Sequence, residues 1–255
     1  MEFKNVKLEE CIASGPYADI YRVDNWAIKV FKEKRPKTDI LYEALVNSFI
    51  ENTGLNVPRV RDVSRLDNGQ WVIASQIIEG ETLLEKMQQD KKNLDSYVEQ
   101  MVNLQLEIHK QRVPRLVKLK DKLMTRIHQS EEIDKTAKYD MMTRLEGLPK
   151  HIKLCHGNFS PSNIILSKDK LYIVDWIEAS QGNASADAAK SYLLLKLECP
   201  EAADKYMELF CKKSETDKKY VQKWLPIVAA SHLQYVTDSK DRELLKQWAN
   251  VVEYQ

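Results

Sequence analysis

Apolar and polar residues take turns along the first third of the chain, in short runs bounded by turn formers, and this pattern up to about residue 79 predicts antiparallel strands. Residues 10–23 read as two strands around a turn at Gly15-Pro16, and residues 25–31 as a strand with Lys29 in an apolar setting. Beyond Pro36 the spacing becomes helical over residues 40–50. Residues 59–63 and 70–78 then read as a strand pair joined by the turn Asp67-Asn68-Gly69. From residue 82 the pattern is helical, and over 94–109 Tyr97, Met101, Leu104 and Ile108 fall on one apolar stripe. Helical spacing resumes from Ala188 to the end, with Trp224 and Trp248 as core candidates. Between these helical stretches, small polar residues lie between apolar runs from Leu154 to Leu166, and a second β-type run follows over 170–176.

Length and charge narrow the picture. A chain of 255 residues is long enough for one large domain or two lobes with ordinary cores. Its 39 basic and 38 acidic residues nearly cancel, so the polybasic character that drives phosphate-backbone binding is missing and no nucleic-acid partner is implied. No apolar run approaches the roughly 20 residues that span a bilayer. The opening residues do not lead into a signal-peptide apolar region, and the expectation is a cytoplasmic protein without a membrane partner. Cys11, Cys155, Cys199 and Cys211 form no Cys-x-x-Cys pair and read as reduced thiols. Residues 110–126 are locally basic, with Arg112, Arg115, Lys118, Lys120 and Lys122. The bland reading is a solvated helix face; the functional one is a rim that attracts a phosphorylated or carboxylated substrate.

Candidate chemistry gathers at a few places. His156, Gly157, Asn158, Ser160, Ser162 and Asn163 form a polar loop, and Asp175 closes the next β-type run twelve residues after Asn163. An amide and a carboxylate at the ends of adjacent strand segments suit a hard cation that prefers oxygen ligands. Lys29, if interior, needs a partner, because burying an unpaired ammonium is costly; a lysine on the solvent face of the strand is the alternative. Glu43 lies in the first turns of the helix that follows. The Gly15-Pro16 turn can aim backbone N–H groups at a phosphate, or be an ordinary hairpin turn, since it has one glycine and Pro16 lacks a donor.

His156-Gly157-x-x-x-Pro161-x-Asn163, followed by Ile173-Val174-Asp175-Trp176, resembles the catalytic and metal-binding loops of the aminoglycoside phosphotransferase and choline kinase group, relatives of the protein kinases. The resemblance implies an α+β, two-lobed protein-kinase-like fold. A β-rich N-lobe (residues 1–79) and a mostly helical C-lobe (residues 80–255) would bind ATP with Mg2+ between them. It implies that Lys29 contacts the phosphates and pairs with Glu43, with the Gly15 turn over the phosphates. It further implies that the Gln76 carbonyl and the Ile78 N–H meet the adenine and that Asn163 and Asp175 hold Mg2+. His156 and Asp187 would support the catalytic loop, with His109 packed nearby. In this family the residue after His-Gly is an aspartate that accepts the proton of the substrate hydroxyl; here it is Asn158. The implied function is ATP-dependent phosphoryl transfer to a hydroxyl of a small molecule, or, because of Asn158, a nucleotide-binding pseudokinase acting as a sensor or interaction module. The C-terminal helices carry no acidic excess of the kind that would suit a polycationic aminoglycoside.

Overall fold

In the computed structural model, which describes residue 8 and residues 10–32 and 35–250, the chain divides into two compact units. The first comprises Met1–Glu81 and the later segment Ile165–Ile177; the second comprises Thr82–Ile164 and Glu178–Gln255. The lobes expected from the pattern, 1–79 and 80–255, lack this later segment in the first unit. Its own alternation carries no sign of the unit it joins.

In the first unit β1 (Glu10–Ser14), β2 (Ala18–Val23), β3 (Trp26–Phe31), β4 (Val60–Arg65) and β5 (Trp71–Gln76) make one antiparallel sheet in the order β1-β2-β3-β5-β4. Successive side chains leave a strand on opposite faces. Ile28 and Val30 therefore bury with Val72 and Ala74 on one face, while Phe31 packs with Ala18 and Ile73 on the other. Helix α1 (Lys37–Ile50) covers the second face through Ile40 and Ala44. Fully burying a side chain such as Ile28 or Val72 contributes about 1.5–3 kcal/mol. Lys29 shares the parity of Phe31, so the pattern that builds the core also sends this lysine toward α1. The turn before β5 forms as expected: Gly69 takes a φ of 86° and donates its N–H to the Leu66 carbonyl at 2.9 Å. Strand β5 stops at Gln76 rather than at residue 78.

A hairpin of Ile164–Ser167 and Lys170–Ile173 turns through Lys168, whose φ is 54°. The Ile173 N–H donates to the Asn56 carbonyl at 2.9 Å, and the Asn56 amide donates to the Leu171 carbonyl at 3.2 Å. These two bonds fasten the hairpin within the first unit and thereby deliver Asp175 to it.

The second unit is helical: α2 (Leu83–Gln89), α3 (Leu94–Lys110), α4 (Leu119–Gln129), α5 (Lys135–Gly147), α6 (Ala184–Glu198), α7 (Pro200–Ser214), α8 (Lys218–Gln222), α9 (Leu225–His232) and α10 (Ser239–Ala249). Helix α2 begins with a reciprocal cap, in which the Thr82 hydroxyl accepts the Glu85 N–H and the Glu85 carboxylate accepts the Thr82 N–H. Helix α6 is buried on almost every side, and its small residues Ala186, Ala188, Ala189 and Ser191 let neighbouring elements approach closely. The buried face of α3 runs through Val98, Met101, Val102, Gln105, Ile108 and His109. Tyr97 and Leu104, expected on the apolar stripe, are only half-buried, because two polar residues occupy the inward face for a reason given below. Trp224 is fully buried, whereas Trp248 is half-buried and stacks on Tyr192 with ring centroids 5.7 Å apart. Among the described residues no helix is long and apolar enough to cross a membrane.

Candidate active site

In the first unit the Lys29 ammonium lies 2.5 Å from a Glu43 carboxylate oxygen and 4.0 Å from Asp175 Oδ1. The strand register, the helix and the docked hairpin thus bring three charges from residues 29, 43 and 175 together. Glu43 is buried, and burial is the main influence raising its carboxyl pKa; Lys29 opposes this and Asp175 adds to it. Asp175 takes a left-handed φ of 63°, a conformation that aspartate tolerates better than most residues and that recurs at functional sites. The Gly15 N–H donates to the Ala18 carbonyl at 3.0 Å, and its carbonyl accepts from Lys32 Nζ at 2.7 Å. The turn is thereby a tied hairpin, with this N–H engaged inside the loop. At the end of β5 the Ile77 N–H donates to the Asn25 carbonyl at 3.2 Å. The Ile78 N–H meets no backbone carbonyl among the described residues.

In the second unit a short antiparallel ribbon, Lys153–Cys155 against Ser180–Gly182, pairs Cys155 with Ser180. It sets the His156–Asn158 loop beside the start of α6. Gly157 has a φ of 79°, and a Cβ there would lie 2.5 Å from the Glu178 carbonyl oxygen, so both conformation and space require glycine. Asp187, in the first turn of α6, accepts the Gly157 N–H at 2.7 Å on one oxygen. Its other oxygen receives the His156 N–H at 3.2 Å, Gln105 Nε2 at 3.2 Å and His109 Nε2 at 2.9 Å. Burial alone would raise the Asp187 pKa; the His109 bond and the Gly157 N–H more than offset it, and the carboxyl sits below its ordinary value. This explains the polar inward face of α3: Gln105 and His109, one helical turn apart, are both ligands of the same carboxylate. Gln105 also donates to the Ser191 hydroxyl at 2.9 Å and accepts from the Tyr206 hydroxyl, so its amide is satisfied in the core. Sequence reading found His109 and missed Gln105, and the i, i+4 spacing of the two was the available signal.

The loop itself is pinned by its backbone. The Asn158 N–H donates to His156 Nδ1 at 3.2 Å, and the Asn158 carbonyl accepts from the Asn163 amide at 2.9 Å. The first bond makes Nδ1 an acceptor and puts the imidazole proton of a neutral His156 on Nε2. The second commits the Asn163 nitrogen and leaves Oδ1 as the atom that can face a cation. Among the described residues no three His, Cys, Asp or Glu side chains gather as a metal site.

Two members of the basic run turn inward. Lys122 Nζ lies 2.8 Å from a Glu178 carboxylate oxygen, and Arg126 reaches both Glu178 oxygens at 2.8 and 2.6 Å. Burial pushes the Glu178 carboxyl up, but the two cations outweigh it and hold the pKa at about 2. Arg112, Arg115 and Lys118 remain exposed, as a solvated face requires. Lys120 instead caps the end of α5 by donating to the Glu146 carbonyl at 3.1 Å and to the Leu148 carbonyl. Cys155 is buried, and burial together with Asp187 pushes its thiol well up, away from reactivity.

Residues 12–220 match the family described as the phosphotransferase enzyme family. The chain belongs to it. No curated protein matches this phosphotransferase sequence significantly. Among solved structures, similarity extends over nearly the whole chain at low identity and shows the protein-kinase-like, two-lobed fold that the motif implied. A ternary complex of aminoglycoside phosphotransferase APH(4)-Ia with AMP-PNP and hygromycin B matches at a TM-score of 0.73 with 15% identity, covering 94% of this chain and 91% of the other. The GDP complex of aminoglycoside 2'-phosphotransferase-IIIa matches at 0.62 with 15% identity over 96% and 92%. A choline/ethanolamine kinase family protein from Mesorhizobium loti matches at 0.65 with 12% identity over 97% and 90%.

Proposed function

We propose that this phosphotransferase uses ATP as donor and a hydroxyl of a small molecule as acceptor. The observation that carries the reading is the Lys29–Glu43 ion pair with Asp175 at 4.0 Å, a lysine held on one side and directed toward a second carboxylate. Lys29 would contact the phosphates, and the Gln76 carbonyl and the Ile78 N–H would meet the adenine edge. Gly15 is left with a role in shaping the hairpin, since its N–H is engaged. The residues present fit Mg2+: Asn163 offers an amide oxygen because its nitrogen is committed, and Asp175 offers a carboxylate, both hard oxygen donors. When bound, Mg2+ neutralises charge on the phosphates. The acceptor oxygen forms a bond to the γ-phosphorus as the bond to the ADP oxygen breaks. Asn158 orients the hydroxyl through its amide, and the proton passes to water or to a phosphoryl oxygen, since an amide is no base near neutral pH. The same amide favours a second reading, a nucleotide-binding pseudokinase.

Isothermal titration of the full chain tests this. ATP is expected to bind more tightly with Mg2+ than without it, Asp175→Ala to remove that difference, and Lys29→Met to weaken ATP by about ten- to a hundredfold, the range of a charge-assisted hydrogen bond. A wild type that binds no ATP under either condition overturns both readings.

Aminoglycosides are expected to be poor acceptors despite the structural likeness. In the second unit the cavity beside Gly157 carries Lys122, Arg126 and Lys190 against the carboxylates of Glu178 and Asp187, both already engaged, and offers a polycation no uncommitted carboxylate. Resistance conferred by expression, and abolished by Asp175→Ala, would contradict this.

A further inference from the structure

The second unit contains a cavity whose lining includes Lys122, Arg126, Lys190, Glu178 and Gly157. It is a narrow cavity, with room for a small polar group rather than for a ring system. Glu178 is already engaged by two of the cations, with Lys122 at 2.8 Å and Arg126 at 2.6 Å. Asp187 also lines the cavity, but its carboxylate is taken up by Gly157, His156, Gln105 and His109. Lys190 differs from all of these. It is only 9% exposed, and among the described residues it makes no hydrogen bond and no ion pair.

A buried ammonium without a partner is costly and is normally avoided. Burial, with Arg126 and Lys122 adding to it, holds the Lys190 pKa well below the ordinary lysine value, and the nearby carboxylates of Glu178 and Glu198 do not restore it. An arriving anion would supply what the lysine lacks. With the carboxylates of Glu178 and Asp187 both engaged by other donors, Lys190 beside Lys122 and Arg126 is the electrostatic complement of a carboxylate or phosphate group. Gly157, on the cavity wall, is adjacent in sequence to Asn158, so a group seated there belongs to a molecule whose other end can reach the hydroxyl-orienting position.

We propose that this cavity binds the anionic group, carboxylate or phosphate, of the substrate whose hydroxyl is phosphorylated, with Lys190 as its specificity-determining residue. The inference rests on the phosphoryl-transfer reading for the word substrate and on the cavity alone for the anion site.

The test uses the full chain in phosphate-free and carboxylate-free buffer. Inorganic phosphate and acetate are titrated calorimetrically into the wild type, Lys190→Met and Lys190→Arg, and ATP with Mg2+ is titrated into the same three proteins. At least one anion is expected to bind the wild type. Lys190→Met should weaken it by about tenfold or more, the loss of one charge-assisted bond, and Lys190→Arg should largely restore it. ATP affinity should be the same in all three. Because Lys190 makes no hydrogen bond or ion pair among the described residues and its burial is costly, Lys190→Met should also keep or raise the melting temperature, which excludes misfolding as the cause. Glycerate and glycerol 3-phosphate, offered as acceptors with ATP, then tell the carboxylate from the phosphate source, and Lys190→Met should raise KM for the better one more than it lowers kcat. If ATP binds and neither anion does, or if Lys190→Met leaves anion binding unchanged, the proposal fails and phosphoryl transfer stands. If anions bind through Lys190 and ATP does not bind, the anion site stands and phosphoryl transfer falls.

Discussion

Asn158→Asp is expected to raise the rate of ATP-dependent phosphorylation by at least about tenfold, within the roughly 10²- to 10⁴-fold that general-base catalysis supplies. The expectation rests on how the loop is held. Asn158 is fixed by its main chain, through the N–H to His156 and the carbonyl to the Asn163 amide, and neither bond involves the side-chain atoms that change. The substitution is isosteric, so the loop keeps its shape while the side chain gains the ability to accept a proton. Phosphoryl transfer through a loose transition state depends mostly on positioning and charge neutralisation, which leaves the wild type a slow basal rate. ATP affinity should hardly change, because Lys29, Asp175 and the end of β5 are untouched. The measurement is steady-state turnover of both forms over hydroxy acids, sugar phosphates, amino alcohols and sugars, with ATP titrations alongside. A fast wild type and a slower aspartate variant would show that another group takes the proton. ATP binding by both forms without turnover of any acceptor would favour the pseudokinase reading.

The parts legible in the sequence are those where one local rule decides. Two-residue alternation along Trp26–Phe31 puts Lys29 on the same face as Phe31, the helical spacing after Pro36 puts Glu43 on a helix, and the family resemblance named the two as a pair. The His156 to Asp187 stretch was legible because its residue types and spacing recur as a unit. What stayed hidden depends on contacts distant in the chain. The basic run reads as a solvated face, and nothing within it tells that Lys122 and Arg126 turn inward, because their partner Glu178 lies more than fifty residues further on. Lys190 sits in a run of alanines, serine and leucines and gives no sign of the cavity. Gln105 looks like an ordinary surface glutamine until its amide donates a hydrogen bond to Asp187, 82 positions later.

Asp187→Asn should be among the most destabilising single-atom changes in the second unit, costing about 1–3 kcal/mol, the desolvation penalty of a buried donor left without its acceptor. The carboxylate is fully buried and serves as acceptor for four donors on two oxygens. An asparagine offers one acceptor and one donor. If its oxygen meets Gln105, His109 and the His156 N–H, its NH2 confronts the Gly157 N–H, now 2.7 Å away; the reverse orientation opposes three donors instead. Either way at least one buried N–H loses its partner, which costs the desolvation penalty of that group. For a chain of this length such a loss corresponds to a fall in melting temperature of roughly 2–12 °C. The pH dependence has a definite sign. The folded pKa of Asp187 is below its unfolded value of about 3.9, so its contribution is fully present above that value and is lost as pH falls through the folded one. Glu178, held at about 2, adds a second contribution of the same sign that is lost as pH falls through about 2. Thermal unfolding from pH 7 down to about 3 should therefore show a shallower acid limb in Asp187→Asn than in the wild type, starting from a lower melting temperature. Because the lost bonds hold the His156–Gly157 backbone, turnover in the Asn158→Asp background should fall with the same substitution even at temperatures where the variant is folded. An Asp187→Asn protein with wild-type stability and an unchanged acid limb would mean that the buried carboxylate is not what fastens the loop.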